Sequence, residues 1–167
     1  LPYKSLMILR PLILKDHARP KVAEIISYSA GLYQIGRSKE ARNRLKKLIF
    51  TDKDNKSEIT LQEQSDIYFH LGLLEMSEWN YYQAGKYFQK VSKIETFKTY
   101  RYYLSKLNLS SCLIFYGQLN KSDVILQEII KWDQINNYKL LLISTLENLI
   151  QINIYQKNFA KTEHYLK

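Results

Sequence analysis

The sequence predicts an all-α fold, an α-solenoid in which antiparallel helix pairs stack in a row. Three observations carry that expectation. Only 5 Gly and 3 Pro punctuate the 167 residues, too few for the many turns of a β-sandwich or barrel. Apolar residues recur with the 3.6-residue period of amphipathic helices. A faint internal repeat of about 40 residues runs through most of the chain.

Taken in order, the apolar period places helices over 3–15, 20–35, 38–50, 58–77, 80–94, 98–117, 119–135, 138–156 and 158–167. Pro11 would kink or end the first of these, so residues 1–19 are expected to be a capping helix or the remnant of a preceding repeat. Pro20 suits the first turn of the second helix, where a missing N–H costs nothing. The stretch 51–58 is the one clear polar loop. The remaining helices fall into four pairs, about 20–57, 58–97, 98–137 and 138–167, the last truncated. A chain that opens at Leu1 without Met and stops at Lys167 inside a helical pattern is expected to be a fragment of something longer.

The repeat is anchored at Gly36, Trp79, Gly117 and Lys157, which are 43, 38 and 40 residues apart. Five positions after each anchor stand the small residues Ala41, Ala84, Ser122 and Thr162; nine after stand Leu45, Phe88, Leu126 and Leu166. Twelve after come Leu48, Val91 and Ile129. Eight before are Tyr28, Leu71, Leu109 and Leu149, and seven before are Ser29, Gly72, Ser110 and the larger Ile150. Small residues let two antiparallel helices approach closely, and the bulky ones a turn or two later fill the groove between neighbouring pairs.

On these residues the chain resembles the tetratricopeptide (TPR) repeat family. The unit that runs from Leu71-Gly72 through Trp79, Tyr81, Ala84 and Phe88 is most similar, followed by Gly36, Ala41, Leu45 and Leu48. The third unit matches through Gly117, Leu119, Ser122 and Leu126, and the fourth through Phe159 and Leu166. The copies depart from the family: their period is about 40 residues against the usual 34. Leu32, Glu75, Leu113 and Asn153 stand where the family has an aromatic, and Trp79 and Lys157 replace the turn glycine. The resemblance implies a right-handed TPR-like superhelix whose concave side, lined by the first helix of each pair, binds protein segments.

The inward positions implied by the resemblance are Ala23, Ile26, Ala30 and Tyr33; Asp66, Phe69, Leu73 and Met76; Leu104, Leu107, Ser111 and Ile114; and Ser144, Glu147, Gln151 and Ile154. From these and their neighbours the candidate binding residues are Tyr33, Asp66, Phe69, His70, Leu73, Met76, Leu107, Asn108, Ser111, Glu147, Asn148 and Gln151. Phe69, Leu73, Leu107 and Ile114 fit either a groove wall or simple core. Asn108, Asn148 and Asn153 could clamp a peptide backbone through their amides. The inward set holds no Lys or Arg, so an aliphatic or aromatic segment suits it better than a free acidic tail.

The net charge of +9 belongs to the first third: residues 1–57 carry 13 Lys and Arg against 5 Asp and Glu, whereas 58–167 carry 12 against 11. Basic residues in 37–56 could steer nucleic acid or an acidic partner, although a solvated basic helix face is the simpler and favoured explanation. The aromatics, 14 Tyr among them, could stack on bases but fit helix packing better, and no nucleic-acid module stands in the sequence.

Chemistry finds little foothold. His17, His70 and His164 are scattered, with no second ligand at zinc spacing. Cys112, the single cysteine, excludes an internal disulfide and sits in an apolar stretch expected to bury it as an inert thiol. No glycine-rich phosphate loop occurs. Glu75 and Glu78, three apart, are expected to face water. No cofactor and no enzymatic activity are expected.

No apolar run reaches the roughly 20 residues that a membrane helix needs. A reducing, intracellular setting is expected, cytoplasmic or nuclear. The leading functional expectation is a scaffold or adaptor that holds a peptide or helix of another protein in its groove. A peptide- or ligand-sensing domain of a bacterial regulator is the first alternative, and a basic nucleic-acid-associated subunit the second.

Overall fold

The computed structural model describes residues 22–51, 59–95 and 97–166. These residues form eight helices and no strand. They come as four consecutive pairs: α1 (Val22–Gln34) with α2 (Ser38–Thr51), α3 (Leu61–Ser77) with α4 (Tyr81–Ile94), α5 (Tyr100–Phe115) with α6 (Leu119–Asn136), and α7 (Lys139–Tyr155) with α8 (Phe159–Leu166). The helix expected over 3–15, Pro20 and the polar loop from residue 52 lie outside the described residues.

Side-chain capping marks the starts of α3 and α5, whereas Asn80, Gln118 and Tyr138 before α4, α6 and α7 make no side-chain cap bond. Thr60 accepts the N–H of Glu63, and the Glu63 carboxylate accepts the N–H of Thr60 at 2.9 Å, a reciprocal box that begins α3 at Leu61 rather than at 58. The Thr99 hydroxyl accepts the N–H of Tyr102 at 3.2 Å and opens α5 in the same way.

The turn inside each pair is made by main-chain bonds. At all four sequence anchors the backbone is left-handed, with φ of 81° at Gly36, 62° at Trp79, 69° at Gly117 and 57° at Lys157. The next residue's N–H reaches back to a carbonyl in the last turn of the first helix: Arg37 to Leu32 at 2.8 Å, Asn80 to Glu75 at 2.9 Å, Gln118 to Leu113 at 2.9 Å and Asn158 to Asn153 at 2.8 Å. The anchors themselves donate to Tyr33, Met76, Ile114 and Ile154. This double pattern is the Schellman motif, which satisfies the orphan carbonyls of a helix end and turns the chain back.

The small and bulky positions then meet as their spacing predicts. Ala41, Ala84 and Ser122 are buried, as are Leu45, Phe88 and Leu126. Within the third pair the hydroxyls of Ser110 and Ser122 lie 2.6 Å apart, so the closest helix crossing is a hydroxyl contact. In the second pair the crossing is made by Gly72 facing Phe88. Glu75 departs from expectation. It is only 4% exposed, because Arg42 of α2 reaches across from the preceding pair, with Nε 3.0 Å from its carboxylate, and Asn80 donates to it at 2.8 Å. Glu78 also pairs with Arg42 but stays at the surface. A carboxylate taken out of water needs such partners.

The core is a chain of overlapping clusters rather than one closed centre. One joins Tyr28, Leu32, Leu45, Ile67 and Leu71 across α1 to α3; the next joins Phe69, Phe88, Val91, Leu109 and Cys112 across α3 to α5. A third joins Leu107, Ile114, Leu126, Ile129, Leu141 and Leu149 across α5 to α7. Each helix packs on its neighbours in sequence, and in addition α1 meets α3 and α5 meets α7. α3 and α5 are not packed as closely and meet through side chains such as Asp66 and Arg101, and no comparable packing joins α2 to α4, α4 to α6 or α6 to α8. The pairs therefore converge on the side of the odd-numbered helices, which is the inside of the curve. Among the described residues no helix is long and apolar enough to cross a membrane.

Candidate partner-binding groove

The inner side is lined by α1, α3, α5 and α7, and two polar contacts fix their register. Arg101 of α5 pairs with Asp66 of α3 at 2.8 Å, and Asn148 of α7 donates to the Ser111 hydroxyl of α5 at 2.9 Å. Counted from the anchors, these are positions 13 and 16 before, and 6 and 9 before. In both, a residue meets the one three positions earlier in the next repeat.

The candidate residues divide by exposure. Tyr33 and Leu73 are the open apolar groups, at 40% and 37%. Phe69 and Leu107, by contrast, are 8% and 6% exposed and belong to the core clusters, as does Ile114. Met76 is half-buried against the Phe69 and Phe88 cluster. Asp66, His70, Asn108, Ser111, Asn148 and Gln151 are half-buried, and Glu147 is exposed. Gln151 donates to the Tyr155 hydroxyl at 3.2 Å. Asn153 is withdrawn from the surface: it is buried and donates to the Leu149 carbonyl at 2.7 Å, so it cannot clamp a peptide.

The groove does carry a cation, contrary to the sequence-based expectation. Arg101 lies over the Phe69 ring at 5.3 Å while pairing with Asp66, so the guanidinium covers that ring. Extending the inward stripe one turn toward the start of α5, from Leu104 back to residue 101, is the signal that would have included it. His70 stands beside this pair. Burial, and then the nearby Arg101 charge, hold its imidazole below its usual pKa, with Asp66 opposing them. Between α3 and α5, an imidazole whose neutral form is favoured thus stands next to an ion pair.

Elsewhere the described residues offer less. Arg37 and Arg44 both pair with Glu40, and Arg42 with Glu75 and Glu78, so three cations of the basic first third are already engaged. Burial pushes the Cys112 thiol up to about 12, too high for a nucleophile at neutral pH. An open hollow of about 340 Å³ lies at the turn edge between the third and fourth pairs, lined by Gly117 to Lys121 and Gln156.

No protein-family model and no curated protein sequence matches the chain. Solved structures do. A crystal structure of a Podosopora anserina putative kinesin light chain with nearly identical TPR-like repeats superposes with a TM-score of 0.76 at 12% identity, over 99% of this chain and 83% of that one. BtubC (BKLC) from P. vanneervenii gives a TM-score of 0.74 at 14% identity, over 98% of this chain and 67% of that one. The fold is therefore a TPR-like helical solenoid, as the repeat predicts.

Proposed function

We propose that this TPR-like repeat array is a protein-interaction scaffold that holds a peptide or helix of a partner protein along its inner face. The observation that carries this reading is the composition of that face. Tyr33 and Leu73 stand open on odd-numbered helices, and between them and Gln151 run half-buried amides and hydroxyls at Asn108, Ser111 and Asn148. Apolar anchors beside fixed polar groups suit a segment that buries a few side chains and bonds through its backbone. Because Arg101 is already balanced by Asp66, a free acidic terminus gains little there.

The experiment is to select binders from a random peptide display library on the wild-type chain and to measure them against a Tyr33→Glu, Leu73→Glu variant. Both side chains are exposed, so helicity should persist while affinity falls at least tenfold, roughly the loss expected from apolar anchors made charged. Selected peptides that bind the variant unchanged would place the binding surface elsewhere.

A further inference from the structure

The turns inside the four pairs lie along one edge of the stack. The odd-numbered helices run side by side in a common direction, since the step of three positions from Asp66 to Arg101 is kept from Ser111 to Asn148. Their ends at Gly36, Trp79, Gly117 and Lys157 therefore share that edge. Two of its features cost the fold stability. Trp79 holds a φ of 62°, in the region that glycine occupies at the equivalent corners Gly36 and Gly117, and its indole is 76% exposed. Lys39 and Lys121 stand in the first turns of α2 and α6, where the partial positive charge of a helix N-terminus repels a cation. Residues that break local rules without a structural gain point to a role outside folding.

The neighbours of these residues are of the same kind. Tyr82, Phe115 and Tyr116 are also exposed. With Trp79 they belong to the second and third pairs, each of which has a pair on either side, so their exposure is set by the turns. Their rings bridge those two pairs. Tyr81 stacks on Phe115 at 3.9 Å and meets Trp79 edge-on at 6.1 Å, while Tyr82 meets Tyr116 edge-on at 5.9 Å. Lys86 lies 4.0 Å over the Tyr82 ring. Lys39, Lys86 and Lys121 take part in no ion pair among the described residues. The carboxylates closest to the corners in sequence, Glu40, Glu75 and Glu78, are all held by Arg37, Arg42 or Arg44.

The geometry points to this edge as a contact surface, separate from the groove, for an anionic lipid bilayer, with Trp79 and the rings around it at the headgroup level and the free lysines toward the negative surface. Amphipathic aromatics settle at the boundary between water and hydrocarbon, and unpaired lysines beside them are drawn by the surface potential of anionic lipid. Single-stranded nucleic acid would also stack on the rings, but it requires a basic groove that tracks its phosphates. The arginines of this edge are already taken by Glu40, Glu75 and Glu78.

The test is cosedimentation of the 167-residue chain with vesicles of phosphatidylcholine alone and of phosphatidylcholine with phosphatidylserine at about 3:1, read together with tryptophan emission. The chain should bind the mixed vesicles about a hundredfold more tightly, the scale of three lysines near an anionic surface. Its emission should shift to the blue as Trp79 leaves water. Trp132 supplies a constant background, because it is held between the rings of Tyr103 and Tyr138 at 4.2 and 5.2 Å.

Glycine suits the left-handed corner, so Trp79→Gly should fold at least as well as wild type, bind mixed vesicles about fivefold more weakly and lose the shift. Lys39→Gln with Lys121→Gln relieves two helix N-termini and should weaken binding about twentyfold. Leu73→Glu, on the inner face, should bind as wild type does. Equal binding to the two kinds of vesicle, or unchanged binding by Trp79→Gly or by the lysine variant, overturns the proposal. So does loss of binding in Leu73→Glu, which would move the lipid to the groove. A single-stranded oligonucleotide bound in place of the vesicles would make nucleic acid the occupant and refute the bilayer.

Discussion

A methyl group built on the α-carbon of Gly72 would stand 2.7 Å from Cε1 and Cζ of the Phe88 ring. Phe88 cannot move aside freely, because it is fully buried and packs edge-on against Phe69 with centroids 5.9 Å apart. In a helix, alanine gains about 1 kcal/mol over glycine from backbone propensity, and overpacking costs about 1–3 kcal/mol. The clash wins in this enclosed site. Gly72→Ala should lower the urea midpoint, and Gly72→Ala combined with Phe88→Leu should lose less than the sum of the single changes.

The left-handed turns give a prediction of opposite sign. A side chain in that region costs about 1–2 kcal/mol, while glycine loses about 0.5–1 kcal/mol more chain entropy on folding. Lys157→Gly should therefore stabilise the chain by up to about 1 kcal/mol in thermal or denaturant unfolding. Gly117→Ala should destabilise by a similar amount, and purely through the backbone, since nothing lies within 4 Å of its added Cβ.

Arg42 and Glu75 should behave asymmetrically. Arg42→Ala leaves a nearly buried carboxylate with Asn80 alone, which should cost about 3 kcal/mol, the lower end for a broken buried pair because Arg42 keeps some exposure. Replacing both, Arg42→Met with Glu75→Leu, should cost far less, since the equivalent of Glu75 in the first and third pairs is already leucine. Chemical denaturation of the three variants measures the difference.

His70 makes stability depend on pH. Its pKa is lowered in the folded chain, so the unfolded chain binds the proton more readily. Its contribution is complete above the unfolded value near 6.5 and is lost as pH falls from there through the lowered folded value. Wild type should lose more stability than His70→Asn between about pH 7.5 and 5, as read from urea midpoints; equal losses would assign the pH response to other groups.

Periodicity carried the hairpins. Spacing alone identified Gly36, Trp79, Gly117 and Lys157 as turns and Ala41, Ala84 and Ser122 as close crossings, because each feature repeats within one pair. The groove chemistry was less legible. Arg101 and Asp66, like Arg42 and Glu75, meet across more than thirty residues between different pairs. A helical period states which face a side chain occupies but not which side chain of the next helix answers it. Phe69 and Leu107 were ambiguous for the same reason, since an inward position is groove or core according to what the neighbouring repeat lays over it.

Two of the four corners dispense with glycine, yet the peptide groups at Trp79 and Lys157 close the same rings as those at Gly36 and Gly117. What these copies share is thus written in main-chain geometry rather than in the residue at the corner. A search for kin of this chain keyed to left-handed corners 38–43 residues apart would recover them all, where one keyed to glycine would see a half-erased array.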